Sequence, residues 1–217
     1  MNSVIAFDLD GVLWDSSNIH EAAFRQVLNN FGLFKVDFDY SVFAGRSTHD
    51  AFQLLANLNH NSSTDWKLEL MVRQKQEIAR SFLKSKVYMN TNLISNIRRN
   101  CKSQRFALCT SSSKESLAIF FAETALRDCF SVVLCGSDIS RSKPDPEIYT
   151  KASFLLKIPT SELLVVEDSV SGISSAKAAG SNICHFHFEH SRCEVDHQQF
   201  PAQNIENPNH PIWNSSI

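Results

Sequence analysis

The amino-acid sequence predicts an α/β fold, in which helices cover both faces of a parallel sheet and an all-helical segment follows the first strand. Two observations carry this prediction. Short apolar runs of strand length alternate with helical patterns from residue 105 onward, which is the order typical of parallel sheets. Between residues 16 and 86, apolar residues recur at helical spacing and strand-like runs nearly vanish, which indicates helices.

The first predicted strand covers residues 3–7, an apolar run that ends at Asp8-Leu9-Asp10-Gly11. Such a run followed by a polar turn is typical of a buried strand. We predict a sheet-containing core of residues 1–15 and 87–199, a helical segment of residues 16–86, and a C-terminal tail of residues 200–217.

The later elements alternate along the chain. Strand candidates cover residues 105–109, 131–135, 163–166 and 182–188, and helix candidates cover residues 114–125, 147–157 and 173–179. Polar side chains follow four strand candidates, at Asp8, Thr110, Ser137 and Glu167. Because ligands of such sheets bind outside the carboxyl ends of the strands, we expect these segments to meet at one edge.

Composition limits the classes of partner. The chain has 217 residues and a formal net charge of -2, so no charge excess favours nucleic acid or an anionic membrane. No apolar run reaches the roughly 20 residues that span a bilayer, and no signal peptide is indicated. The six cysteines are interpreted as reduced thiols. We expect a cytoplasmic protein; a monomer is expected, although the sequence leaves the oligomeric state open.

Asp8 and Asp10 carry the first chemical signal. Two residues apart in extended backbone, their carboxylates can face one ligand. Paired carboxylates repel unless a cation lies between them or one is protonated. This suits a metal-assisted reaction with one nucleophile and one general acid/base. The alternative is an acidic turn at the end of a strand, which is common.

Glu167 and Asp168 add two acids after a later strand candidate. Mg²⁺ prefers oxygen ligands, with one or two carboxylates beside water and substrate phosphate. Asp8, Asp10 through its carbonyl, and Asp168 meet this preference, while Glu167 is either a ligand or a second acceptor behind one. An acid cluster favoured by a helix N-terminus is the alternative interpretation.

Phosphoryl transfer also needs cations and hydrogen-bond donors around the phosphate oxygens. Lys143, followed by Pro144, is the candidate cation. Thr110 and Ser111 offer hydroxyl and N–H donors at the start of a predicted helix, which is a natural phosphate site. Each of these features alone is usually structural, but together at strand ends they predict a phosphate site.

Four segments together resemble the motifs of the haloacid dehalogenase superfamily, in the branch of β-phosphoglucomutase-like phosphatases and phosphomutases. They are Asp8-Leu9-Asp10-Gly11-Val12-Leu13, Thr110-Ser111, Lys143-Pro144-Asp145-Pro146 and Glu167-Asp168-Ser169. The resemblance implies a Rossmann-like core with a helical cap inserted after the first motif. It also implies Asp8 as nucleophile, Asp10 as acid/base, Thr110 and Lys143 at the transferring phosphate, and Mg²⁺ held by Asp8, Asp10, Glu167 and Asp168.

Substrate recognition is expected from the inserted segment. His20 resembles a position near the cap hinge of sugar-phosphate members, and Gly45-Arg46-Ser47 resembles their specificity loop. Arg46 can bind a second anionic group, and Lys75 is a further candidate. For His20 and Lys75 the alternative is a solvated polar residue on a helix.

The functional prediction is an Mg²⁺-dependent phosphatase that acts on a small phosphorylated metabolite, a sugar phosphate, through an aspartyl phosphate. A β-phosphoglucomutase-like phosphomutase is the first alternative, because the motifs do not separate water from a second hydroxyl as acceptor. A non-enzymatic regulatory protein that binds a phospholigand is the second alternative. Loss of Asp8, Asp10 or Lys143 would favour it, and all three are present.

The stretch from Cys184 to His197 is rich in cysteine and histidine. Its spacing matches no zinc motif. Alternation of Phe186 and Phe188 with His185 and His187 predicts instead an edge strand with its histidines outward.

Overall fold

The structure is a computed structural model that describes residues 4–33, 35–36, 38–59, 67–188 and 192–195, with the side chains of residues 85, 86 and 192–195 left undescribed. The strands are β1 (Val4–Phe7), β2 (Trp14–Asp15), β3 (Tyr88–Met89), β4 (Phe106–Cys109), β5 (Phe130–Leu134), β6 (Leu163–Glu167), β7 (Asn182–His187) and β8 (Arg192–Val195). The helices are α1 (Ser17–Asn30), α2 (Thr48–Leu58), α3 (Leu68–Lys86), α4 (Thr91–Asn100), α5 (Lys114–Thr124), α6 (Glu147–Leu156) and α7 (Val170–Ala179).

The main sheet has the strand order β5-β4-β1-β6-β7-β8. The first five strands in this order run parallel, and β8 joins β7 antiparallel. Because β1 lies in the middle with β4 and β6 beside it, the residues that follow these three strands are brought to one edge.

Side chains of the central strands alternate between two cores, as period-two geometry requires. Ile5 and Phe7 of β1 pack in the cluster that includes residues of α4 and α5. Val4 and Ala6 pack in the opposite cluster with residues of α6 and α7. The strands are therefore buried on both faces, which explains why they read as continuous apolar runs.

The helical insert, defined as α1, α2 and α3, has a core of its own. Phe24, Val27, Phe52 and Leu55 are buried in it together with Met71. The insert leaves the main sheet after β2 and returns at β3, and these two short strands pair antiparallel. This two-stranded ribbon is the connection between the insert and the sheet.

The structure confirms the predicted fold class, with a parallel sheet, helices on both faces and helices in the inserted segment. The end of α7 at Gly180, in the left-handed region with φ 75°, is also as expected. Helix α4 and the β2–β3 ribbon were not predicted. The two residues per strand of the ribbon are too short for a periodicity signal.

The prediction of an edge strand at residues 182–188 is wrong, because β8 pairs with β7 and forms the edge. The interpretation of all six cysteines as reduced thiols is also wrong, since Cys184 is disulfide-bonded. Sequence spacing does not reveal which strands or which cysteines lie next to each other in the fold, and that proximity decides both the edge strand and the disulfide. The predicted tail of residues 200–217 lies outside the described residues, and so do His190 and His197. Among the described helices, none is long and apolar enough to cross a membrane.

Candidate active site

The predicted strand-end residues meet at the carboxyl edge of the sheet. Asp8 follows β1, Thr110 follows β4 and Glu167 ends β6. All three side chains are buried, as is Lys143 from the loop before α6. Four segments that are distant in sequence therefore surround one point.

Lys143 lies at the centre of this group. Its ammonium donates to Asp8 Oδ1 at 2.6 Å, to Glu167 Oε1 at 2.5 Å and to the Cys109 carbonyl at 3.1 Å. Burial disfavours its charged form, but the Asp8 and Glu167 carboxylates outweigh burial and raise the pKa of Lys143 well above its ordinary value. Lys143 is therefore a permanent cation beside Asp8.

Both oxygens of Glu167 are occupied by donors. Oε1 accepts from Lys143 and from the Tyr149 hydroxyl at 3.0 Å. Oε2 accepts from the backbone N–H groups of Asp168 and Ser169 and from the Ser169 hydroxyl. Glu167 thus holds Lys143 and the following turn in place through hydrogen bonds.

Asp8, Glu167 and Asp168 form a cluster in which one oxygen of each lies within 4.8 Å of the others. Burial, with the neighbouring carboxylate charges, raises the pKa of Asp8, and Lys143 only partly opposes this. Burial likewise raises the pKa of Asp168 well above its ordinary value. Three neighbouring carboxylates, two of them buried and that of Asp168 half-buried, are a donor set that suits a hard cation.

Asp10 accepts four hydrogen bonds from side chains. Trp14 Nε1 at 2.7 Å, Ser16 Oγ at 2.5 Å and His20 Nε2 at 3.2 Å meet Oδ1, and Ser112 Oγ at 2.5 Å meets Oδ2. Burial alone would raise the pKa of Asp10. The contacts with His20 and the serine hydroxyls outweigh burial and lower it below its ordinary value.

His20 and Lys75 are buried rather than solvated. Lys75 Nζ lies 3.0 Å from His20 Nδ1 and 4.7 Å from the centre of the Phe24 ring. Because an ammonium only donates, His20 Nδ1 is the acceptor, so Nε2 carries the proton and donates to Asp10. Burial lowers the pKa of Lys75 to about 8. Burial and the Lys75 charge lower the pKa of His20.

Three serine hydroxyls of the sheet domain bond the helical insert. Ser111 Oγ donates to the Gly45 carbonyl and Ser171 Oγ to the Ala44 carbonyl, each at 2.7 Å, and Ser142 Oγ donates to Asp50. A Cβ on Gly45 would lie 2.2 Å from Ser169 Oγ. Glycine is therefore required for this close approach.

A partly open cavity of about 540 Å³ lies between the insert and the sheet domain. Its lining includes the predicted residues Asp8, Asp10, His20, Arg46, Lys75, Thr110 and Ser111. Arg46 Nε is buried without a hydrogen-bond partner in the structure. The predicted residues Lys143, Glu167 and Asp168 are not part of this lining.

Several residues at the site were not found by sequence reasoning. Ser112 contacts Asp10 directly, Tyr40 lines the cavity, and Tyr149 supports Glu167. Trp14 is noticeable in the sequence as a large residue before the insert, but its contact with Asp10 was not predicted. Ser112 follows the predicted Thr110-Ser111 pair, so the hydroxyl run was a usable signal. Tyr149 lies within an ordinary helical pattern, which contains no signal of a role at the site.

Comparison with known proteins agrees with this geometry. The pattern of the family described as haloacid dehalogenase-like hydrolase matches residues 5–186. A phosphorylated carbohydrates phosphatase of Thermotoga maritima is 28% identical over 83% of this chain and 82% of its own. A beta-phosphoglucomutase of Bacillus subtilis is 25% identical over 83% and 80%.

A crystal structure of CbbY from Rhodobacter sphaeroides in complex with phosphate superposes with a TM-score of 0.70 at 23% identity, covering 86% of this chain and 87% of that one. This likeness shows the Rossmann-like fold. The relatives include both a phosphatase and a phosphoglucomutase, so the enzyme is of the phosphatase type, with phosphomutase activity as the alternative. The family match over most of the chain identifies the protein as a member of the haloacid dehalogenase-like hydrolase family, in its β-phosphoglucomutase-like branch.

Proposed function

We propose that this protein is an Mg²⁺-dependent phosphatase that hydrolyses a small sugar phosphate through a phosphoryl group carried on Asp8. The observation that carries the proposal is that Lys143 donates to Asp8 at 2.6 Å and that Asp8 and Asp10 both line one cavity. Nucleophile, acid/base and phosphate cation are the three parts that such a transfer requires.

The residues divide the reaction between them. The Asp8 carboxylate attacks phosphorus, and Lys143 neutralises charge on the transferring group. Thr110 Oγ1 accepts from the Ser112 N–H at 3.0 Å, so its hydroxyl hydrogen is available to a phosphate oxygen. As general acid/base, Asp10 in its neutral form gives a proton to the leaving oxygen. Its ionised form, which the lowered pKa favours, then takes a proton from the water that attacks the aspartyl phosphate.

The metal is assigned to Asp8, Asp168 and the Asp10 carbonyl. Carboxyl oxygens within 4.8 Å of one another fit a hard divalent cation, and Mg²⁺ would neutralise phosphate charge when bound. Glu167, first expected as a ligand, is assigned to hold Lys143 and the turn at Asp168, because five donors already occupy its oxygens.

The substrate class rests on the relatives and on the cavity. Relatives of this chain include the phosphorylated carbohydrates phosphatase and a fructose-1-phosphate phosphatase, YqaB, of Escherichia coli. A cavity of about 540 Å³ suits a small metabolite. We assign residues 16–86 as a cap, in which His20, Arg46 and Lys75 line the substrate cavity, with Ser111 opposite them.

Phosphomutase activity is the competing function, supported by the beta-phosphoglucomutase relative. The two differ only in whether water or a second substrate hydroxyl takes the phosphoryl group from Asp8. A non-enzymatic phospholigand-binding role is less well supported, because Asp8, Asp10 and Thr110 all line the cavity and Lys143 donates to Asp8.

The test is a panel of hexose and pentose phosphates incubated with Mg²⁺ and the wild type, Asp8→Asn or Asp128→Asn. Asp128 is exposed and far from the cluster, so it controls for the loss of one carboxylate. We expect phosphate release by the wild type and Asp128→Asn, and at least a thousandfold loss in Asp8→Asn. Full activity of Asp8→Asn would overturn the proposal, and conversion of hexose 1-phosphate to 6-phosphate without phosphate release would identify a phosphomutase.

A further inference from the structure

Trp14 is buried, and its only polar side-chain atom faces the proposed acid/base. The residue is 0% exposed, and Nε1 donates to Asp10 Oδ1 at 2.7 Å. A buried indole N–H needs a partner, and phenylalanine would fill the same space without one. Packing alone therefore does not explain the contact between Trp14 and Asp10.

The other donors to Oδ1 come from the start of the helical insert. Ser16 is the N-cap residue of α1, and His20 lies in its first turn. Trp14 is instead fixed to the sheet domain. Its ring packs edge to face against Phe120, with ring centres 5.7 Å apart. Its backbone N–H donates to the Leu9 carbonyl, and its backbone carbonyl accepts from the Gly11 N–H. Trp14 is thus the donor to Oδ1 that is anchored outside the insert.

The two oxygens of Asp10 are used differently. Among the described residues, Oδ1 accepts from Trp14, Ser16 and His20, and Oδ2 accepts from Ser112 alone. A carboxylate oxygen has about two lone-pair directions, so Oδ1 is saturated and Oδ2 has room for one more partner. The proton that moves in the reaction is therefore expected on Oδ2.

We propose that Trp14 is a positioning residue that holds Asp10 Oδ1, so that Oδ2 is aimed at the leaving oxygen of the substrate. The inference rests on the proposed role of Asp10. In the first step the Asp10 proton passes from Oδ2 to the leaving oxygen as the Asp8–phosphorus bond forms and the bond from phosphorus to the leaving oxygen breaks. In the second step Oδ2 takes a proton from water as the water oxygen bonds to phosphorus and the Asp8–phosphorus bond breaks, which releases phosphate.

The test compares two aryl phosphates of nearly equal size. Phenolate is a basic leaving group that needs a proton, whereas nitrophenolate leaves without one. For an enzyme that forms a covalent intermediate, kcat/KM reports the step in which the leaving group departs. We expect Trp14→Phe to lower kcat/KM about tenfold for phenyl phosphate and less than twofold for p-nitrophenyl phosphate, as loss of general-acid alignment predicts.

Phe120→Leu is the matched control, since it loosens the packing around the Trp14 ring and leaves the N–H in place. Phe120→Leu should change kcat/KM by the same factor for phenyl phosphate and for p-nitrophenyl phosphate. If Trp14→Phe also affects both equally, or neither, the positioning role is wrong. If Asp10→Asn keeps full activity on phenyl phosphate, the proposed function itself has failed, which separates the two outcomes.

A second measurement does not depend on the stability of Trp14→Phe. In an NMR spectrum of the labelled wild type, the Trp14 indole N–H should resonate downfield and exchange slowly with solvent because it is buried and bonded to a carboxylate. Asp10→Ala removes the acceptor and should shift this signal upfield, while Phe120→Leu should leave it downfield. An unchanged signal in Asp10→Ala would overturn the inference.

Discussion

The ammonium of Lys143 lies 2.6 Å from Asp8 Oδ1, although 135 residues separate them along the chain. Their side chains are 0% and 5% exposed. The pair fastens the loop before α6 to the end of the central strand β1. Because a second carboxylate, that of Glu167, lies on the other side of the ammonium, the cation balances two buried charges.

Loss of the Lys143 charge should destabilise the fold as well as stop the reaction. We expect Lys143→Met to lower the free energy of unfolding by about 4 kcal/mol, because removal of one partner leaves buried carboxylates without their cation. Urea denaturation in a chelating buffer measures this. Lys102→Met, at an exposed position, should change stability by less than about 0.5 kcal/mol. Equal effects of both changes would contradict the structural role of the pair.

The buried amine of Lys75 predicts a pH dependence of stability. Its pKa is about 8 in the folded protein against an ordinary 10.5, so the unfolded chain binds more protons between these values. The free energy of unfolding should therefore rise with pH across that window, by up to about 3 kcal/mol in total, because each pKa unit corresponds to about 1.4 kcal/mol.

Lys75→Met should lack this rise, so the variant should be more stable than the wild type at pH 7 and lose the advantage by pH ~10.5. Urea denaturation at a series of pH values provides the comparison. Lys84→Met, on the same helix but exposed, should retain the wild-type slope. A wild-type slope in Lys75→Met would show that the amine is not buried in solution.

Alanine variants of Gly45 and Gly32 distinguish the effect of backbone strain from the effect of steric contact with the core. Gly45 and Gly32 both have positive φ, of 77° and 74°, but a Cβ on Gly45 would meet Ser169 and Ser171, while a Cβ on Gly32 meets nothing within 4 Å. Both alanine variants should lose about 1 kcal/mol of stability from the left-handed conformation. Only Gly45→Ala should lower kcat/KM, by about tenfold or more, because it holds the insert away from the core. Equal kinetics of the two variants would argue against a closed cap in catalysis.

Metal binding should stabilise the protein through the carboxyl cluster. Saturating Mg²⁺, at about 100 times its dissociation constant, adds about 2.7 kcal/mol, which corresponds to a rise in Tm of roughly 5–10 °C for a chain of this size. Asp168→Asn should abolish the rise, and Asp128→Asn should keep it. Thermal unfolding with and without Mg²⁺ measures the rise in Tm. A rise in Asp168→Asn as large as that in the wild type would show that Asp168 is not a metal ligand.

The fold was largely predictable because strand and helix periodicities are local properties. The apolar run before Asp8 and the helical spacing after residue 16 each point to one structure without knowledge of the rest of the chain. The two-residue strands β2 and β3 have no such periodicity. Strand β8 was missed because its pairing with β7, rather than its own pattern, makes it the edge.

The candidate site was predictable in its acids and its lysine, and less so in their supports. Asp8, Asp10, Lys143 and Asp168 are recognised by residue type at strand ends. The indole of Trp14 and the phenol of Tyr149 act through single atoms whose direction depends on packing. No sequence spacing specifies that direction.

The sequence by itself determined the fold class, the alternation of the main strands and helices, and the chemistry of the acids at the ends of β1 and β6. Only the tertiary structure decided that Glu167 is enclosed by five donors, that Lys75 bonds His20, and that Trp14 holds Asp10. The reason is physical: periodicity and residue type are encoded locally, whereas a hydrogen bond requires two atoms to be within about 3 Å, and packing of the whole chain sets that distance.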